Sequence, residues 1–95
     1  MVRDVRPYRE RITRVDRSLG DQLGRASSSV PLNVAEGSGS RGGRRRNSYD
    51  TALSEARETL TCLEVAEAAG HIRGIEPHVR ARLNHIIGTL VRILH

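Results

Sequence analysis

The stretch Arg25-Ala-Ser-Ser-Ser-Val-Pro-Leu-Asn-Val-Ala-Glu-Gly37 decides how the rest of the chain is read. Ala26, Val30 and Val34 recur at helical spacing, yet Pro31 stands among them. An interior proline removes a backbone hydrogen bond and clashes with the preceding turn, at a cost of about 3 kcal/mol. A helix that keeps such a residue must be held by tertiary packing. Asn33 and Glu36 fall near Val30 and Val34, and Gly37 reads as the stop. If buried, both polar side chains need partners. Arg25, the run Ser27–Ser29, Tyr49 and Glu58 are in position to supply them. We therefore expect a structural polar network of Arg25, Asn33, Glu36 and Glu58 that fixes helix register and serves carbonyls freed by Pro31. The other reading of Asn33 and Glu36 is a ligand or active site, but no second motif of catalytic spacing accompanies them.

Outward from this stretch the chain divides into four helical segments, and no run alternates with period two. The segment holding Pro31 covers about 18–36, with Leu19 and Leu23 extending its stripe and Ser18 with Asp21 resembling a capping box. Before it, 5–16 carries Val5, Tyr8, Ile12 and Val15 as a packed seam, and Pro7 suggests that regular helix starts near Arg6. After it, 37–46 reads as a flexible Gly/Ser/Arg loop. A third segment, about 47–69, opens at an Asn47 or Ser48 cap, packs through Tyr49, Ala52, Leu53, Ala56, Leu60, Leu63 and Ala66, and ends at Gly70 as the residue past the C-cap. A fourth, about 76–94, starts at Glu76-Pro77 and presents Val79, Leu83, Ile86, Ile87, Leu90, Val91 and Leu94, widened by Ile93. That face is broader than one partner helix needs. The expectation is all-α: one domain, 1–95, an antiparallel up-down-up-down four-helix bundle.

Composition narrows the function. The chain has 95 residues, no Phe or Trp, two Tyr and 37% hydrophobic content, so the core is thin and self-association would bury apolar stripes that a monomer leaves wet. Cys62 is the only cysteine and reads as a buried, inert thiol. With no secretory leader and no membrane-spanning run legible, the expected location is cytoplasmic. The net charge is +5, and all 16 basic residues are Arg. Residues 1–46 hold 11 Arg against 5 acids, whereas 47–95 hold 5 Arg against 6. A basic half joined to a near-neutral half points to a surface that attracts polyanions. The candidate nucleic-acid contacts are Arg3, Arg6, Arg14 and Arg17 on the first helix and Arg41, Arg44, Arg45 and Arg46 in the loop.

Two stretches carry a family resemblance. Asp21 to Gly37 resembles the second helix of the four-helix-bundle proteins encoded in 23S rRNA intervening sequences, written R-A-x-x-S-x-P-x-N-I-A-E-G. Ala56 to Ile72 looks like the family's third helix, which ends Gly-Tyr-Ile where Gly70-His71-Ile72 stands here. The first helix is shorter than usual for the family, and Tyr49 takes a place often held by Phe. Accessory proteins of diversity-generating retroelements belong to the same broader group. The resemblance implies a bundle that assembles as a ring-like homopentamer in the bacterial cytoplasm, without established catalysis. It also implies a basic surface for RNA or DNA, and in the retroelement relatives a reverse transcriptase as protein partner.

Other chemistry is weakly signalled. Arg80-Ala-Arg-Leu-Asn-His85 resembles the Arg-x4-His motif of HEPN ribonucleases, in which His acts as base and Arg stabilises phosphorane charge. An Arg-rich chain with four His matches that spacing readily. His71, His78, His85 and His95 have no zinc-ligand spacing, so no metal or cofactor is expected. The loop 37–46 lacks the Gly-Lys-Ser/Thr of a P-loop, and few aromatics are present to stack bases. The reading is a non-enzymatic oligomeric bundle that binds nucleic acid or scaffolds a nucleoprotein complex. Its rivals are a small ribonuclease using Arg80 and His85, and a protein–protein adaptor.

Overall fold

The computed structural model describes residues 1–95. It is all-α, with helices α1 (Val2–Val15), α2 (Arg17–Ser38), α3 (Gly42–Ala68) and α4 (Pro77–Leu94) and no strand. Cross-helix contacts set their directions. Gly20 and Gly24 of α2 lie against Thr13 and Arg9 of α1, Gln22 and Gly37 of α2 lie against Glu58 and Tyr49 of α3, and Arg80 and Leu90 of α4 lie against Glu64 and Tyr49 of α3, so later residues of one helix face earlier residues of the other. Successive helices are therefore antiparallel, as an up-down-up-down four-helix bundle requires.

One residue, Asp16, reverses the chain between α1 and α2. Its backbone is extended, with φ −147° and ψ 90°. Its N–H still donates to the Ile12 carbonyl at 2.7 Å, and its carboxylate accepts the Leu19 N–H at 3.0 Å. Asp16 thus closes α1 and caps the third residue of α2. The cap expected at Ser18 with Asp21 is displaced to Asp16, because only the residue at the break has the extended backbone that a cap needs. Gly20 lets the hairpin close tightly: a Cβ there would lie 2.9 Å from the Thr13 Cα.

Both internal prolines are carried through. α1 starts at Val2, earlier than Pro7 suggested, and Pro7 sits inside it. Pro7 and Arg3 are both exposed, so the backbone hydrogen bond that Pro7 cannot make is missing on the solvent side of α1, where water can replace it. Pro31 is likewise exposed within α2, and Ala26 and Val30 hold that helix to the core. α2 does not stop at Gly37. It runs on to Ser38, because Gly37 is buried against the Tyr49 ring.

The expected loop 37–46 is mostly helix. Only residues 39–41 connect α2 to α3, and α3 begins at Gly42, where φ is +57°. Glycine takes that left-handed conformation without strain. Arg44, Arg45 and Arg46 are good helix formers, so the packed helix anchored at Tyr49 extends back through them. α3 ends as its glycine predicted. Gly70 has φ +78°, with Gly70 N–H donating to the Glu67 carbonyl at 3.1 Å and His71 N–H to that of Ala66 at 2.9 Å, the two bonds of a Schellman cap.

The core has two parts. In the first, all four helices meet: Val5, Tyr8 and Ile12 of α1 pack with Leu23, Cys62, Leu63, Ala66, Val79 and Leu83, joined by Ile72. Val15, expected in that seam, is exposed because α1 ends there. In the second, Tyr49, Ala52 and Leu53 of α3 pack with Leu90 and Leu94 of α4, with Val34 of α2 alongside. α1 does not reach it. At 1.5 Å per residue, the 14 residues of α1 span about 21 Å, against about 40 Å for the 27 of α3. Half the bundle therefore has three walls, and Ile86, Ile87 and Val91 stay half-buried there. No helix is long and apolar enough to cross a membrane.

Candidate nucleic-acid interface

The end of the α2–α3 hairpin carries the densest positive charge. Arg41 caps α3, and Arg44, Arg45 and Arg46 occupy its first turn and a half. All four are exposed. The Arg45 guanidinium stands 5.4 Å from the centroid of the Tyr49 ring, a cation–π distance. Tyr49 itself is buried, and its Oη lies 3.4 Å from Ser38 Oγ. The hairpin end is thus pinned through Tyr49, and the arginines project from a regular helix instead of a loose loop.

A second basic surface follows α1. Arg3, Arg6 and Arg14 are exposed there. Arg6 and Arg14 border a groove between α1 and α2 that also contains Arg9, Thr13, Ser27 and Ser28. Arg3 lies instead beside α4, close to Glu76 and His78. Arg17 does not belong to this helix, because the break at Asp16 makes it the first residue of α2. Arg9 is the member that sequence reasoning missed. Its guanidinium lies over Gly24, where a Cβ would collide with it. The signal was the pair Gly20 and Gly24, one turn apart on α2.

Few of these arginines are neutralised. Arg6 meets Glu10 at 3.3 Å, Arg80 meets Glu64 at 3.2 Å and Glu67 at 3.8 Å, and Arg82 meets Asp4 at 3.0 Å, the last a contact off the hydrogen-bonding line. No other arginine has a carboxylate within ion-pair reach. Before residue 47, Arg6 alone is paired.

The four residues expected to form one polar network do not come together. Glu36 and Arg25 are exposed. Asn33 bonds within its own helix, its Nδ2 donating to the carbonyl and the Oγ of Ser29, both at 2.9 Å. Glu58 does tie α3 to α2, but through Gln22 Nε2 at 3.1 Å. The reason is rotational: Ala26, Val30 and Gly37 take the inward face of α2, which turns Glu36 outward. Beside Glu58, burial raises the Glu55 carboxyl above its ordinary 4.5, and the charge and hydrogen bond of Glu58 push it further. Burial likewise raises the Cys62 thiol, with Glu58 and Glu55 adding to the shift. A thiol so placed is a poor nucleophile.

Arg80 and His85 are not poised together. Arg80 is turned to the two α3 carboxylates, and His85 is exposed on another face of α4, about 140° away at 100° per residue. No group of three His, Cys, Asp or Glu side chains is placed to hold a metal.

Residues 6–92 match the family described as 23S rRNA-intervening sequence protein. The chain belongs to that family. The match takes in both stretches that carried the resemblance, Asp21–Gly37 and Ala56–Ile72, and every basic residue of the two surfaces except Arg3. No curated protein and no solved structure matches the chain. Membership of the 23S rRNA-intervening sequence family fits a small RNA-associated helical protein.

Proposed function

We propose that this protein is a non-enzymatic, oligomeric bundle that binds nucleic acid through its basic surface and scaffolds a nucleoprotein complex. The observation that carries the reading is the unpaired arginine surface of residues 1–46, where ten of 11 Arg lack an acidic partner. Charge left unpaired on a folded surface is available to phosphates, and each phosphate contact releases counterions. The two arginine surfaces sit on rigid helices. In an oligomer they recur in every subunit, so modest contacts add by avidity. A homopentameric ring is what the family resemblance implies. Apolar surface in the three-walled half supports self-association, with Leu32 at 69% and Ile93 at 51% exposure. The location that goes with this reading is the cytoplasm.

The test is a salt titration of binding. Affinity for RNA or DNA should fall steeply between about 50 and 200 mM salt. Replacing Arg41, Arg44, Arg45 and Arg46 with Ser should flatten the slope by up to about 3–4 units while the helical signal persists, since none of the four is a core residue. No binding to either nucleic acid at about 50 mM salt would leave the protein–protein adaptor reading in its place.

A further inference from the structure

Between the end of α2 and the start of α3 lies an open groove of ≈ 590 Å³, and no hydrophobic side chain lines it. Asn33, Glu36, Arg44, Asn47, Ser48 and Thr51 face it. Their unspent hydrogen-bonding capacity is unequal. Asn33 uses its amide group on Ser29, the orientation that gives a donor to the Ser29 carbonyl, which can only accept. Its Oδ1 is left as an acceptor. Glu36 adds a carboxylate without an ion-pair partner, although Arg44 lines the same groove. Thr51 has committed its hydroxyl proton to the Asn47 carbonyl at 3.0 Å. Ser48 lines the groove with a residue exposure of only 6%, but its hydroxyl keeps contact with solvent and is not an orphaned buried group.

Such a wall is wrong for a nucleobase, which binds by stacking on an apolar or aromatic surface. It suits the sugar–phosphate backbone. Arg44 offers a guanidinium to a phosphate oxygen. A hydroxyl that both donates and accepts would serve Glu36 or Asn33 Oδ1 and the Ser48 hydroxyl, which line the same groove. In nucleic acid that group is the ribose 2′-hydroxyl, which distinguishes RNA from DNA. We propose that this groove reads the 2′-hydroxyl of an RNA strand held by the hairpin arginines, so that the protein selects RNA over DNA. The proposal rests on the nucleic-acid reading above and gives Glu36 a discriminating role. With RNA its carboxylate accepts a hydrogen bond. With DNA it loses that bond and keeps its repulsion from the phosphates, so specificity comes from penalty as well as attraction.

The experiment compares three strands of one sequence, each of about 20 nucleotides, at about 50 mM salt: RNA, DNA and 2′-O-methyl RNA. Wild-type protein should prefer RNA to DNA on the order of tenfold, the scale of one hydrogen bond to a charged group. The 2′-O-methyl strand keeps the RNA backbone shape but has lost the donor, so its affinity should fall to that of DNA. Glu36→Gln changes an exposed side chain and leaves the fold intact. It should bring the RNA:DNA ratio close to one, chiefly by tightening DNA. Equal wild-type affinity for RNA and DNA overturns the proposal, as does tight 2′-O-methyl binding or an RNA preference that persists in Glu36→Gln. Those results leave the parent reading standing, whereas a wild-type chain that binds none of the strands overturns both.

Discussion

The Tyr8 hydroxyl accepts the Glu76 backbone N–H at 2.8 Å, joining residues 68 apart in sequence. Glu76 is the N-cap of α4, and no side chain caps that helix. Tyr8 thus satisfies a backbone donor where α4 begins and closes α1 against it. Tyr8→Phe keeps the ring packing and strands that donor in a partly buried site. The expected loss is about 1–2 kcal/mol, or a fall of about 4–16 °C in Tm for a domain of this size. A calorimetric midpoint that stays within a degree of wild type would contradict this.

Gly37 and Gly43 should respond oppositely to alanine. A Cβ at Gly37 would lie 2.8 Å from Tyr49 Cε1, and that ring is packed in the core. Gly37→Ala should therefore cost about 1–3 kcal/mol through overpacking. A Cβ at Gly43 meets nothing, and its helical position makes alanine stabilising by about 0.5–1 kcal/mol. Urea denaturation of the two variants decides the pair of signs.

The Glu55 carboxyl is raised in the fold by burial and by Glu58. The folded chain therefore takes up this proton more readily than the unfolded chain. Its contribution favours folding below the ordinary value of 4.5 and is lost as pH rises through the raised one. Glu55→Gln should make the protein more stable at pH 7 and flatten the melting temperature over that window. Melts showing no gain at pH 7 would be inconsistent with the shift.

Light scattering at micromolar concentration should report a species well above the 10.5 kDa chain mass. Ile93→Arg places a charge on the exposed apolar edge of α4 and should shift the population toward smaller species without loss of helix. A wild-type chain that scatters as a monomer would remove the oligomer from the proposed function.

Much of the fold was legible because helix seams write themselves at intervals of three and four. Val79, Leu83, Leu90 and Leu94 located α4 almost to the residue, and Gly70 with His71 marked the end of α3. The failures have physical causes. Gly39, Gly42 and Gly43 look like a long loop, but helix propensity in Arg44–Arg46 and the anchor at Tyr49 outweigh two glycines. Asp16 gave no clear signal, because one residue both ends a helix and caps the next. Glu36 looked buried because Val34 is only two residues away, yet that offset is 200° of helix rotation. Replacing Glu36 with Ala should therefore leave stability unchanged. The place of Arg9 depends on Gly24, so its only mark in the sequence is the spacing of Gly20 and Gly24.

The three substantial helix packings all join neighbours in sequence: α1 with α2, α2 with α3, and α3 with α4. The connections are one residue at 16, three at 39–41 and eight at 69–76. Contact order is correspondingly low, and chains of this kind fold in microseconds to milliseconds. Each hairpin can form before the next, with little loop-closure entropy to overcome. The non-neighbour seam between α1 and α4 is held by Tyr8 with Glu76 and by Asp4 with Arg82, and its long sequence separation makes it the costliest to close. With α1 packed chiefly on α2, its amides should exchange with solvent before those of α2 and α3.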